Sequence, residues 1–433
     1  MKINRLRVAG LFGLYDYDID FSVEGGDFTV LTSPNGYGKT TLLRIIRSLH
    51  VSRLFYLYTL KFKELHIWFD EGSEFVAREL DETAINQKEL DARTNQRRGL
   101  VLQWLSKGVE LCHFDYLPDQ IQSSQLMVMR RISSARHYPM EGMEYDAKLF
   151  IEGEYGEMLN NELAQLQNQE QFLLQLATVQ TDFIGANRIY TISRRSRSAR
   201  MRADLPVLQV VYDLRERLQK ELSAFQSNFQ RLDSKFIDML LEGKGQEITS
   251  EVYAEKSKAL TLQIDELTSF GLTNKQTLPE YKQDNAKILD VYLRLMEEKL
   301  QYYKDLLPLV RLFNKNVHQK HFANKTITLS PQHGIRIVSD NGDILRADML
   351  STGEQNQLVL LYDLIFETPK GSILLIDEPE SSLHVAWQND FVSDMLTIAD
   401  SKGLQIIVAT HSSIIVNNTP DRKVFDLYYL QKA

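Results

Sequence analysis

The sequence has a single cysteine, Cys112, in 433 residues. That excludes an intramolecular disulfide framework and a cysteine-rich zinc site. Long apolar runs are also missing. Ile373-Leu374-Leu375-Ile376 is typical of the longest and falls far short of the roughly 20 residues a helix needs to cross a bilayer. No basic stretch followed by an apolar one opens the chain, so no secretory leader is expected. Nor is there an excess of positive charge. With 50 basic against 58 acidic residues the formal charge is -8, which excludes a uniformly basic coat for nucleic acid but leaves room for a local basic patch. Apolar residues at 43% and charged residues at 25% sit near globular averages and exclude wholesale disorder. The length is that of about three domains at ~150 residues each. These features read as a cytoplasmic protein with a large core.

The N-terminal part reads as short strands and one helix. Asn4 to Val8, Tyr15 to Phe21 and Phe28 to Thr32 are β-type runs, with Gly25-Gly26 as a turn. Residues 40–49 place Leu42, Leu43, Ile45, Ile46 and Leu49 on one helical side. Phe62 to Phe69 and Glu74 to Leu80 form a hairpin pattern around Asp70-Glu71-Gly72. Residues 81–180 carry little pattern beyond a Gln- and Leu-rich helix at about 155–178.

From Val207 to Leu240 apolar residues recur every three or four positions, a stripe that predicts a helix roughly 50 Å long. Asp204 suits its N-cap, Pro206 its first turn and Gly243 its stop. Further helices are expected over 250–268 and 279–317, the second kinked or ended by Pro308. Such a series suits either an ordinary helical core or a coiled coil inserted into another domain. After residue 325 strands return at Thr326 to Leu329 and Ile335 to Val338. Helices at 354–366 and 385–399 alternate with apolar strands at Ser372 to Ile376 and Leu404 to Ala409, and Val424 to Leu430 reads as a closing strand. That alternation predicts an α/β fold with a mostly parallel, helix-covered sheet.

Two motifs carry chemistry. Ser33-Pro34-Asn35-Gly36-Tyr37-Gly38-Lys39-Thr40-Thr41, between a strand and a helix, matches a phosphate-binding loop in which Ser33 stands for the first glycine. Gly36 and Gly38 let backbone N–H groups of the loop, Asn35 included, turn toward phosphate oxygens, and the helix N-terminus at Thr40 and Thr41 adds its dipole. Lys39 reaches the β- and γ-phosphates, and the Thr40 hydroxyl suits Mg2+. Ile373 to Ile376 ends in Asp377-Glu378, where Asp377 would hold Mg2+ and Glu378 would polarise an attacking water.

Three further segments follow in order. Leu350-Ser351-Thr352-Gly353-Glu354-Gln355 resembles the signature motif of ABC-type ATPases. Glu380-Ser381-Ser382-Leu383-His384 looks like that family's D-loop, and Thr410-His411-Ser412 like its switch histidine. Leu11-Phe12-Gly13-Leu14 with Asp18-Ile19-Asp20-Phe21 is similar to the first hairpin of RecF-, SMC- and OLD-like ATPases. The resemblance covers about 1–80 and 326–430. It implies an ABC-type P-loop head with ATP and Mg2+ as cofactors. Ser351, Gly353 and Glu354 would then face the γ-phosphate of ATP held by a second copy, and His411 would sense hydrolysis. Catalysis would fall to Glu378, His411 and Lys39. Tyr15 suits either adenine stacking or a β-sheet.

The implied organisation is a head N-terminal lobe at 1–110, an insertion with a return strand at 111–203, an α-helical or coiled-coil insertion at 204–318, and a head C-terminal lobe at 319–433. Ser351 comes 312 residues after Lys39, which disfavours a transporter, and the insertion is too compact for a chromosome-scale SMC protein. The pattern is nearer the PtuA-, AriA- and OLD-like ATPases of bacterial antiviral systems. Only 22 residues follow His411, so a nuclease effector is expected on a separate polypeptide. Asp182 to Arg188 resembles a strand-plus-arginine segment of that group. Arg194, Arg195, Arg197, Arg200 and Arg202 suit nucleic acid, an acidic protein patch or a solvated loop. A RecF-like ATPase that clamps DNA is the alternative. His318 and His321 lack metal-binding companions at suitable spacing.

Overall fold

The computed structural model describes residues 1–22, 27–50, 53–79, 99–116, 167–185, 205–319, 322, 324–382, 385–420 and 423–431. The chain divides into two compact units, residues 1–187 with 368–433 and residues 188–367. Gly25-Gly26, Arg188, the five arginines of 194–202, Asp204, His321 and His384 lie outside the described residues. The fold is mixed α/β.

The first unit holds two sheets. In one, β1 (Ile3–Leu11), β2 (Tyr15–Asp20), β4 (Glu64–Phe69), β5 (Ser73–Glu79), β6 (Leu100–Ser106) and β7 (Val109–Tyr116) run in the order β2-β1-β4-β5-β6-β7, antiparallel throughout. In the other, β3 (Phe28–Thr32), β8 (Thr181–Ile184), β12 (Ile373–Asp377), β13 (Gln405–Ala409) and β14 (Val424–Asp426) run in the order β14-β3-β13-β12-β8, all parallel. Helix α1 (Lys39–Arg47) joins them through one core: Leu42, Leu43, Ile45 and Ile46 pack with Leu6 and Val8 of β1 and with Leu375 and Ile407 of the parallel strands. Gln405, 2% exposed, ties the sheets again, accepting from Ile3 N–H and donating to Ile3 O, both at 2.7 Å.

A mostly parallel sheet is thus half of the arrangement, because the antiparallel sheet is larger than the sequence pattern suggested. The hairpin β6–β7 turns at Lys107 and Gly108, both with positive φ. Its outer strand packs on the helix Gln167–Leu176 through Phe114 and Phe172, whose rings stack at 5.7 Å. The closing segment is also corrected. Its strand stops at Asp426, whose carboxylate accepts from Tyr428 N–H at 2.9 Å and caps a helical turn, Leu427–Leu430.

The second unit is mainly helical. The first of its helices, which we call α4, spans Pro206–Leu241 with Pro206 at its first position, and Gly243 follows its end at φ +66°. It packs antiparallel on Ala286–Leu300: Phe225 meets Tyr303 (4.8 Å), Leu232 packs with Leu295, and Phe236 meets Tyr292 (6.3 Å). Ser250–Ser269 lies against the same partner. The helix expected over 279–317 starts at Ala286 and breaks at Gln301–Lys304, ahead of Pro308. Tyr303, fully buried and donating to Leu272 O at 2.7 Å, occupies the break. Pro308 falls in the first turn of Leu306–Gln319, where its missing N–H leaves no intrahelical bond unmade.

A small antiparallel sheet, β9 (Lys325–Ser330), β10 (Gly334–Ser339) and β11 (Ile344–Leu345), lies beside α4. Gly334 has φ +68°, and a Cβ there would stand 2.3 Å from Val211 O and 3.0 Å from Arg215 N. Gly342 has φ +88° but open space around it. Gly342→Ala should therefore cost about 1 kcal/mol for conformation alone. Gly334→Ala should cost roughly 3 kcal/mol or more, because strain and backbone collision add. Urea midpoints of the two variants check this, and equal midpoints would remove the close packing of β10 on α4.

Candidate functional site

Three adjacent parallel strands of the first unit deliver the chemistry. β3 runs into the phosphate-loop segment, β12 ends in the acidic pair and β13 ends before Thr410-His411. In a parallel sheet the carboxyl ends of neighbouring strands open on one side, where ligands of α/β proteins bind.

In the loop, Gly36 and Gly38 have φ of +91° and +83°. A Cβ at Gly36 would meet nothing within 4 Å, so glycine answers a conformational need there rather than a spatial one. Ser33, at the position of the missing first glycine, needs no positive φ and is 5% exposed. Asn35 and Gly36 are exposed at the loop's tip. Lys39 is buried and folds its ammonium inside the loop, donating to Ser33 O at 2.8 Å, with Ser33 Oγ at 3.3 Å and Pro34 O at 3.4 Å. Burial pulls the ammonium below lysine's ordinary value, against the nearby Glu378, Asp377, Glu380 and Asp426.

Thr40 Oγ1 donates to Asp377 Oδ1 at 3.0 Å across 337 residues of sequence. Burial pushes the Asp377 carboxyl up and Glu378 adds to that, while Thr40, Arg44 and Lys39 pull the other way. A half-buried hydroxyl beside a buried carboxylate fits Mg2+, which takes few protein oxygens and keeps waters and phosphates as its other ligands. Among the described residues no cluster of three or more His, Cys, Asp or Glu forms a separate metal site. Glu378 is half-buried, with φ +45°, a region that non-glycine residues seldom adopt and that concentrates at functional sites. Its N–H donates to Ala409 O at 2.8 Å, tying the acidic pair to β13. His411 is exposed just past β13, and its N–H donates to Glu380 Oε1 at 2.6 Å.

Aromatic residues brace the loop. Tyr17 OH donates to Tyr37 O at 2.7 Å. Tyr15 stacks on Tyr17 at 5.8 Å, Tyr37 stands 5.9 Å from Tyr15, and Tyr428 meets Tyr37 edge-on at 5.5 Å. Tyr15 thus belongs to a sheet cluster that also borders the loop. Thr41 continues into α1 beneath it, beside the Tyr56 hydroxyl.

Ser351, Gly353 and Glu354 sit in the second unit, at the start of the helix Thr352–Tyr362. Ser351 is the exposed N-cap, accepting from Glu354 N–H at 3.4 Å. Glu354 Oε2 in turn accepts from Ser351 N–H at 2.8 Å and Ser351 Oγ at 2.9 Å, a reciprocal capping box. The other oxygen takes Lys325 Nζ at 3.0 Å. The buried Glu354 carboxylate thus braces Ser351 and leaves Ser351 and the half-buried Gly353 to meet solvent or ligand. Lys325 was not legible as a site residue, since nothing in a strand-opening lysine marks its partner 29 residues on. His318 makes a local contact to Asn314 O at 2.8 Å.

Burial raises the Glu354 carboxyl, but the bonds from Lys325 and Ser351 outweigh it and hold the group below the ordinary 4.5. The ionised carboxylate therefore stabilises the fold above that value, and its contribution fades as pH falls through the depressed folded value. Glu354→Gln should lower stability by roughly 1–3 kcal/mol at pH 7. The gap to wild type should close in melts recorded progressively below pH 4.5. A gap independent of pH would contradict the ionised brace.

Comparison with known proteins places the chain. Residues 196–417, just over half of it, match the family described as "AAA domain, putative AbiEii toxin, Type IV TA system". No curated protein matches the sequence. Among solved structures, the chain is similar to the Smc head domain with an extended coiled coil bound to the C-terminal domain of ScpA, from Pyrococcus furiosus. That match has 12% identity and a TM-score of 0.37, over 96% of this chain and 92% of that one. The SMC head domain from Thermotoga maritima gives 12% identity and a TM-score of 0.35, over 97% and 92%. On the family match, the chain belongs to the AAA-domain family described as putative AbiEii toxin, Type IV TA system.

Proposed function

We propose that this chain binds and hydrolyses ATP as the sensor or regulatory subunit of a prokaryotic antiviral system, and controls a separate effector nuclease. The observation that carries the ATPase part is the Thr40–Asp377 contact, which sets a phosphate loop against an acidic strand end with Glu378 beside it. ATP would lie on the backbone of the loop, with Lys39 leaving Ser33 O for the phosphates. Thr40 and Asp377 would hold Mg2+, which when bound offsets negative charge on the transferring phosphoryl group. Glu378 would orient and deprotonate the attacking water, and His411 would meet the γ-phosphate from the end of β13. Ser351 and Gly353 of a second copy would complete the site, so that ATP closes two heads and hydrolysis releases them.

The defence role rests on the family's description, which names a toxin of a type IV toxin–antitoxin system, together with the compact helical insertion. Affinity purification tests it. Glu378→Gln protein, expressed with its native flanking genes and held in ATP, should retain a stoichiometric nuclease-like partner. Recovery of the chain alone, or with DNA only, would favour a DNA-clamping ATPase acting through the arginines of 194–202. Separately, Lys39→Ala should weaken ATP binding by about 10-fold or more, since it removes the charge-assisted contacts of the loop. Calorimetric titration checks this, and an unchanged affinity would remove the loop as the nucleotide site.

A further inference from the structure

Glu380 follows the acidic pair on the short turn Pro379–Ser382, and its carboxylate spans to a different strand. Oε2 accepts from Thr410 Oγ1 at 2.7 Å and Oε1 from His411 N–H at 2.6 Å. Thr410 is fully buried, and its hydroxyl also accepts from Ser412 N–H at 2.9 Å. Ser412 Oγ donates to Gln388 Oε1 at 2.7 Å and accepts from Ile415 N–H at 3.3 Å, capping the helix Ser413–Asn417. Below this, Glu378 N–H is bonded to Ala409 O, and the Glu378 carbonyl accepts from Ser381 N–H (3.1 Å) and Ser381 Oγ (2.8 Å). The turn after β12 is therefore joined to the end of β13 by backbone at Glu378 and to the loop after β13 by a carboxylate at Glu380. β13 ends at Ala409, so His411 N–H lies beyond the ladder and takes its partner from this side chain.

We propose that Glu380 is a positioning residue for ATP turnover: its carboxylate fixes the His411 backbone relative to Glu378, so that base and histidine keep one spacing. This rests on the ATPase reading above. Both oxygens face donors, so the substitutions differ. Glu380→Ala removes both bonds. Glu380→Gln can still accept from His411 N–H while its amide group turns to Thr410 Oγ1, whose proton then loses its acceptor.

Steady-state kinetics, amide hydrogen exchange and a double-mutant cycle test the assignment. Glu380→Ala should lower kcat about 10- to 100-fold while KM for ATP changes by less than about 3-fold. Glu380→Gln should recover part of the loss. In a His411→Ala background, Glu380→Ala should cost nothing more, because the two act as one unit. Exchange in a peptide spanning Thr410–Ser412 should speed at least about 10-fold in Glu380→Ala, with the strand amides of Ile373–Asp377 unchanged as a control on folding. An unchanged kcat, independent multiplicative losses with His411→Ala, or unchanged exchange at Thr410–Ser412 would each overturn the proposal. A wild-type chain without turnover overturns the hydrolysis reading and the role of Glu380 in it. In that case the exchange difference still reports separately whether the clamp exists.

Discussion

The Thr40–Asp377 hydrogen bond is the contact on which the site depends. It joins the first turn of α1 to the end of β12, and so brings a phosphate loop and an acidic pair 337 residues apart into one place. The bond itself contributes about 1 kcal/mol. What holds it is the register of β12, β13 and β3, whose buried apolar residues fix the strands side by side and bring their carboxyl ends level. Burial pulls the Lys39 ammonium below its ordinary value and pushes the Asp377 carboxyl above its own.

The loops around this contact are constrained in the backbone. Gly36 and Gly38 take left-handed conformations, Glu378 takes one without being glycine, and Glu380 ties the next loop to the same turn. In the second unit, Ser351 is held by a capping box at a helix start, and Lys325 at the start of β9 takes the remaining Glu354 oxygen. Ser351 thus rests on the buried Glu354, and His411 on the half-buried Glu380, which is itself bonded to the buried Thr410. Such support fixes the main chain at both positions, and at Ser351 the hydroxyl as well.

The parts of the molecule legible in the sequence are those where local chemistry and local geometry coincide. The phosphate loop was readable because left-handed turns demand glycine and the strand before it is a short β-branched and apolar run. β12 and β13 were readable because a buried parallel strand is a continuous apolar run. The 36 residues of α4 were readable from their stripe and from Pro206 and Gly243 at its ends. Other features depend on partners far along the chain. The hairpin β6–β7 has an outer strand of mixed polarity, and its core face shows only against Phe172. The helix break at Gln301–Lys304 was legible from Pro308, whose ring excludes the carbonyl four residues back, but the contact that fills the break, Tyr303 reaching Leu272 O, was not. Lys325 carries no signal of its own, because a surface lysine has the same sequence appearance as a brace, and Glu380 was legible only as part of the D-loop-like segment, not as a tie to Thr410 and His411.

We propose that Glu378, set beside the Thr40–Asp377 pair, drives cleavage of ATP. Phosphate release in a single turnover, with Mg2+, measures it most directly. The wild-type chain should release phosphate only with Mg2+, and Glu378→Gln should lose about 100-fold or more while ATP stays bound. Equal release rates from the two proteins, with ATP bound by both, would contradict it.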